Sequence, residues 1–238
     1  MERKFINYAH RGASAYYPEN TEPAFFTGIF MGADGLEMDV QKTRDGQLVI
    51  FHDDTLERMT GESGKISDYT REELQAFTVR LRNCRAAIPS LVEIFESFSM
   101  LDLTFAIELK VAGCEADLYD LISQYGCENK VIVTSFEYEY LKRMRELSGS
   151  IRLGYLTART DEELIPLLRD ICAYEICPKA ETITPELVNF WHGLGLNVRA
   201  WGVFDEELMK KVYDYGVDGM TVNFPDKLTE YIKEKDNE

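Results

Sequence analysis

The chain has 238 residues, 45% of them hydrophobic, which is material for one large domain with a substantial core. Its 42 acidic residues outnumber 26 basic ones and the formal net charge is −16, so the overall field repels nucleic acid and anionic membrane surfaces. An anionic substrate is repelled as well, and needs a metal ion or a few local basic groups to hold it.

Met1-Glu2-Arg3-Lys4 leads into the first apolar stretch without a leader-like apolar region, and no window approaches the roughly 18 apolar residues of a membrane span. The expectation is a cytoplasmic chain without stable membrane association. The five cysteines, Cys84, Cys114, Cys127, Cys172 and Cys177, form no CxxC pair, and their odd number fits reduced, buried thiols better than a disulfide framework.

In chain order, Phe5-Ile6-Asn7-Tyr8-Ala9 predicts a first strand with His10 at its exit, followed by Arg11-Gly12. Glycine and proline then make a βα loop, and Asn20 or Thr21 is expected to cap a helix over residues 22–31 with Pro23 in its first turn. Residues 35–41 alternate acid and apolar side chains. Arg44-Asp45-Gly46-Gln47 makes a turn, and residues 48–51 return as a strand that ends at His52-Asp53. Between 54 and 87 the periodicity weakens around Gly61, Gly64, one short helix near 71–77, and Arg80, Arg82 and Arg85. This predicts an inserted lobe or long loop, anchored by Tyr69, Leu74, Phe77 and Leu81.

From Pro89 the alternation is regular. Helices are predicted at 90–99, 115–125, 137–147, 161–170, 184–194, 205–215 and 225–235, between strands at 103–109, 130–134, 151–156, 174–177, 197–201 and 219–222. With the two early units this makes eight βα repeats, in a length near the roughly 250 residues of a closed (β/α)8 TIM barrel. The rival is a doubly wound open sheet, but no glycine-rich dinucleotide fingerprint follows the first strand. The expected organisation is one barrel domain over 1–238 with 54–87 inserted in it.

Glu37 and Asp39 stand at i and i+2 on a strand, so they share one face roughly 6.6 to 6.8 Å apart. Glu108 and Lys110 repeat the arrangement on the third barrel strand. Carboxylates inside a barrel are costly unless a cation or hydrogen bonds compensate them, and three of them suit Mg²⁺ or Ca²⁺ better than zinc. The competing possibility is a solvated edge, or pairing with Lys42 and Arg44. His10 and His52, both at strand ends beside this cluster, suit a general acid and a general base. His192, late in an outer helix, is assigned to packing.

These motifs resemble the glycerophosphodiester phosphodiesterases, a metal-dependent (β/α)8 group. The resemblance rests on His-Arg-Gly at 10–12, Pro-Glu-Asn-Thr at 18–21, Glu-Met-Asp-Val at 37–40, Phe-His-Asp at 51–53 and Ile-Glu-Leu-Lys at 107–110. Thr55-Leu56-Glu57-Arg58 with Gly61, Ile88-Pro89-Ser90-Leu91, Ser135-Phe136, Trp201 and Thr221-Val222-Asn223-Phe224-Pro225 add to it. The resemblance implies one divalent cation, Mg²⁺ or Ca²⁺, on Glu37, Asp39 and Glu108, and an acid/base pair in His10 and His52. It implies phosphate contacts from Arg11 and Lys110, and supporting roles for Glu19, Asn20, Asp53 and Trp201. The implied activity is hydrolysis of glycerophosphodiesters to an alcohol and sn-glycerol 3-phosphate. The alternatives are a lysophospholipid- or phosphoinositide-type phosphodiesterase, or a non-catalytic phosphate-binding barrel. One departure stands out: Trp201-Gly202-Val203-Phe204 replaces the family's usual Trp-Thr-Val-Asn.

Overall fold

The computed structural model describes residues 5–237, so Met1-Glu2-Arg3-Lys4, on which the leader expectation rests, lies outside the described residues. In chain order the strands are β1 (Ile6–His10), β2 (Gly35–Lys42), β3 (Leu48–Ile50), β4 (Thr78–Leu81), β5 (Cys84–Ala87), β6 (Thr104–Leu109), β7 (Val131–Ser135), β8 (Arg152–Thr157), β9 (Glu175–Pro178), β10 (Asn197–Val203) and β11 (Gly219–Val222). Eight of them pair in parallel in the order β1-β2-β6-β7-β8-β9-β10-β11, and β11 pairs back onto β1. The ring is closed, as in a (β/α)8 TIM barrel, and an open sheet is excluded because each of the eight strands has a parallel neighbour on both sides. The antiparallel β3 folds back on the end of β2 and is not part of the ring.

Alternation along the strands sorts side chains to two sides of this wall. Leu36, Met38 and Val40 of β2 and Phe105, Ile107 and Leu109 of β6 are buried in one apolar cluster with Phe95 and Phe98 of the helix Leu91–Phe98. Their alternating neighbours Glu37, Asp39 and Glu108 are buried as well, but on the inner side. The apolar core is therefore mainly a shell between strands and helices, and the inside of the ring mixes polar groups with Tyr8, Ala106 and Ile132.

Lower in the ring the same alternation builds a buried ion pair. Arg199 Nε donates to Glu175 Oε1 at 2.8 Å, with the guanidinium 5.1 Å from the centre of the Tyr8 ring. Glycines make the room: a Cβ on Gly154 would fall 2.7 Å from Glu175 Oε1, and one on Gly35 would fall 2.6 Å from Tyr8 Cδ1. Arg199 is 2% exposed, so Glu175→Ala leaves a charge without compensation. The expected loss is about 3–5 kcal/mol of stability, read as a lower denaturant midpoint. A midpoint that barely moves would refute it.

Residues 54–87 form two one-turn helices, Glu57–Thr60 and Arg71–Leu74, a 3-10 turn at Ile66–Asp68, and the antiparallel hairpin β4–β5. The hairpin is not visible in the sequence, because its strands are rich in arginine and Arg82 takes the left-handed turn position at φ 53°. Leu56, Ile66, Leu74, Val79 and Ile88 pack over Val49 and Phe51, with Tyr69 and Phe77 against them, while Leu81 stays half-buried on the hairpin.

Two local expectations need correction. Thr21 takes the N-cap position of the first helix, Glu22–Phe30, but its side chain makes no cap hydrogen bond: Oγ1 turns back to Pro18 O, and Asn20 is committed to Asp39. All five cysteines are free, but only Cys114, Cys127 and Cys177 are buried, whereas Cys172 is exposed in a turn at φ 46°. Among the described residues no helix is long and apolar enough to cross a membrane.

Candidate active site

Asp39 and Glu108 are register partners on β2 and β6, and Glu37 is one alternation earlier on β2. One oxygen from each of Glu37, Asp39 and Glu108 lies within 4.8 Å of the others. All three are buried, at 4%, 0% and 8% exposure. Lys42 and Arg44 take no part, since they pair with Asp117 and Glu73. Compensation comes from Arg11, whose Nε lies 3.1 Å from Asp39 Oδ2, and from Lys110, whose Nζ lies 2.9 Å from Glu108 Oε1.

Backbone geometry brings these groups in. Arg11 and Asn20 both adopt left-handed φ angles, 55° and 57°, at which side chains other than glycine are uncommon. The turn at Arg11 aims its amide N–H at Glu37 Oε2 (3.0 Å), and Asn20 Nδ2 donates to Asp39 Oδ2 (2.8 Å). Gly12 is required for the same turn, since a Cβ there would fall 2.5 Å from the Ala24 backbone. Arg11 Nη1 also donates to Glu19 Oε1, so Glu19 and Asp39 share its charge.

The two basic groups do not neutralise three carboxylates. Burial and the neighbouring Asp39 push Glu37 well above the usual carboxylate range, and the same two causes push Glu108 up to about 7 despite Lys110. Burial also raises Asp39, but Arg11, His52 and Lys110 outweigh it and hold this carboxyl below its ordinary value. Asp39 Oδ1 is buried without a hydrogen-bond partner. An all-oxygen donor set with one orphaned carboxylate oxygen fits a hard divalent cation.

This sets a pH dependence. A carboxyl whose folded value is raised favours the folded state at low pH, and that contribution is lost as pH rises through about 7. A divalent cation binds only the ionised form and reverses the loss. Stabilisation by saturating Mg²⁺ or Ca²⁺ is expected to be larger at pH 8 than at pH 6, with proton release on binding near neutrality. Melting temperatures and calorimetry in two buffers measure both; a pH-independent increment would contradict the assignment.

The histidines stand on either side of the acids. His10 Nδ1 is 2.6 Å from Asn223 Oδ1, an oxygen that also accepts from Ser14 Oγ. The proton of neutral His10 is therefore on Nδ1, and Nε2 is turned inward, 3.9 Å from Glu37 Oε2. Burial and Arg11 lower His10 to about 4. His52 follows β3, where Phe51 N bonds to Asp39 O and Gln41 Nε2 donates to the carbonyls of Phe51 and Asp53. His52 Nδ1 lies 2.8 Å from Asp53 Oδ1. Burial raises Asp53, but Arg58 and His52 bring it down to about 2, and Arg58 also donates to Glu19.

His10, Arg11, Glu37, His52, Glu108 and Lys110 line one cavity of about 150 Å³ at the carboxyl ends of the strands. The Glycerophosphoryl diester phosphodiesterase family model matches residues 10–227. The chain belongs to that family.

Among relatives of this phosphodiesterase family member, a glycerophosphodiester phosphodiesterase of Caldanaerobacter subterraneus is 33% identical over 97% of this chain and 98% of its own. A solved structure from Silicibacter pomeroyi shares the fold, with a TM-score of 0.90 at 23% identity over 99% of this chain and 95% of its own. An Oleispira antarctica phosphodiesterase, solved in complex with the product sn-glycerol-3-phosphate, has a TM-score of 0.87 at 26% identity over 96% of both chains.

The sequence assigns no role to Asn223, Gln41 or Arg58, although Asn223 and Arg58 fall within motifs typical of the family. Asn223 holds the His10 ring, Gln41 holds the carbonyls on either side of His52, and Arg58 holds the Asp53 carboxylate that faces His52; no spacing rule reveals such contacts in advance. Trp201 donates Nε1 to Thr157 O and stands at the cavity wall rather than against the acids. His192 is 2.7 Å from Asp218 Oδ2, a packing contact on an outer helix.

Proposed function

We propose that this family member hydrolyses glycerophosphodiesters to an alcohol and sn-glycerol 3-phosphate, with one Mg²⁺ or Ca²⁺ held by Glu37, Asp39 and Glu108. The carrying observation is three buried carboxylates within 4.8 Å of one another, beside two histidines held by hydrogen bonds at one barrel mouth. The product complex of the Oleispira antarctica relative supports the choice of substrate.

When bound, the cation supplies charge stabilisation for the non-bridging phosphoryl oxygens. Arg11 and Lys110 add donors on the same side and offset the repulsion that a chain of net charge −16 exerts on an anion. His10, neutral with its lone pair on Nε2, accepts a proton from the attacking water as the new P–O bond forms. His52, backed by the Asp53 carboxylate, delivers a proton from Nε2 to the leaving alkoxide as the other P–O bond breaks. Glu19 and Arg58 tie Arg11 to Asp53, and so hold the phosphate donor and the acid in one network. In this reading residues 1–238 are a single barrel domain with 54–87 as an inserted lobe, acting in the cytoplasm on small-molecule diesters.

The test is release of sn-glycerol 3-phosphate from a panel of glycerophosphodiesters and lysophosphatidylcholine, before and after chelation. Turnover lost with chelator and restored by Mg²⁺ or Ca²⁺ is expected. No turnover of any diester with Mg²⁺, Ca²⁺ or Mn²⁺ would leave a phosphate-binding barrel instead.

A further inference from the structure

The cavity has two unlike halves. Its side formed by β1, β2, β6 and the segment after β3 carries both histidines, the acids and the basic groups, while Phe136, Leu156, Trp201 and Phe204 stand on the opposite wall. Phe136 and Trp201 meet edge to face, centroids 5.0 Å apart at 90°. Phe204 is 63% exposed and Phe136 40%, so both present ring surface to whatever enters.

The position of Phe204 is built into the strand. The pairing of β10 with β11 shifts register between Ala200 and Val203, a bulge that re-aims the chain beyond it. Gly202 lies inside that shift at φ 74°. A Cβ there would meet Lys179 Cγ at 3.5 Å, Phe204 Cε2 at 3.7 Å and Lys179 Cε at 3.9 Å, ordinary contacts, so the backbone angle and not space calls for glycine. The two departures thus fall within and just beyond the same irregularity of the strand.

Thr134, Arg199 and Thr221 also line the cavity, but Arg199 pairs with Glu175 and Thr221 Oγ1 donates to Ala200 O, so few hydrogen-bonding groups on this side are uncommitted. Trp201 Nε1 is used by Thr157 O, and Lys179 Nζ is 2.6 Å from Glu181 Oε2. A polyol or a primary ammonium entering it gives up water without replacement partners. A quaternary ammonium has no N–H to satisfy and is attracted to aromatic faces. The strongly acidic chain attracts such a cation, and a cavity of about 150 Å³ suits a compact headgroup better than an acyl chain.

We infer that Phe204, with Phe136 and Trp201, seats a quaternary ammonium on the leaving alcohol, making choline-type esters of glycerol phosphate the preferred diesters. The inference rests on the phosphodiesterase reading of the same site. It makes Phe204 a specificity-determining residue.

The test compares glycerophosphocholine with glycerophosphoethanolamine, glycerophosphoglycerol, lysophosphatidylcholine and the neutral 3,3-dimethylbutyl ester of glycerol phosphate. In the unmodified protein the choline ester is expected to lead the ethanolamine ester by about 3- to 30-fold in kcat/KM. Phe204→Leu and Phe204→Asn, both folded by their melting curves, are expected to shrink that ratio by a similar factor, chiefly through KM. A ratio near one, a ratio untouched in both variants, or equal preference for the dimethylbutyl ester overturns the inference. Faster hydrolysis of lysophosphatidylcholine overturns it in favour of an acyl-chain seat. Hydrolysis without choline preference removes this inference alone, and no hydrolysis of any diester removes the phosphodiesterase reading with it.

Discussion

Asp39→Asn is expected to yield a folded barrel that hydrolyses glycerophosphodiesters at least about 10³-fold more slowly, because several kcal/mol of charge stabilisation depend on cation binding. Asp39 is the fully buried centre of the acidic cluster, touched by Arg11 and Asn20 and with one oxygen that has no partner. The amide keeps the shape and removes the charge. It also removes a neighbour that raises Glu37 and Glu108, so both should ionise more easily in the variant. Cation affinity measured by titration should fall together with turnover, while the melting temperature without cation moves little, since Arg11 keeps Glu19. Wild-type affinity and turnover in Asp39→Asn would remove this residue from the cation site.

The histidines give the second large effect and can be told apart. His10→Ala and His52→Ala should each lower turnover by about 10²–10⁴-fold with the fold and the cation affinity retained. A p-nitrophenyl leaving group departs without a proton, so it should rescue His52→Ala much more than His10→Ala. The reverse pattern would exchange the base and acid roles. Near-normal turnover of either variant on a glycerophosphodiester would take that histidine out of the mechanism. The hydrogen bonds explain the asymmetry: His10 faces the neutral oxygen of Asn223, whereas His52 faces the carboxylate of Asp53, which Arg58 helps keep ionised.

The acidic face of β2 is legible from residue order alone, because strand alternation puts Glu37 and Asp39 on the same side whatever surrounds them. That Glu108 joins them depends on the register Asp39↔Glu108, a contact between strands far apart in the chain. Repetition of βα units indicates a barrel, but closure depends on β11 returning to β1, which no local pattern encodes. The hairpin β4–β5 escapes sequence reading because the alternation in Thr78–Leu81 is only four residues long and the turn at Arg82-Asn83 carries no glycine to mark it.

Residue order by itself therefore determined the repeat architecture, the chemical types at the strand ends and the acidic character of the chain, since these depend on local periodicity and charge. Only the tertiary structure decided which groups hold the histidines, where Arg58 and Asn223 act, and how the bulge at Gly202 places Phe204. Those contacts join segments far apart in the chain, through hydrogen-bond directions and backbone angles that exist only once the ring has closed.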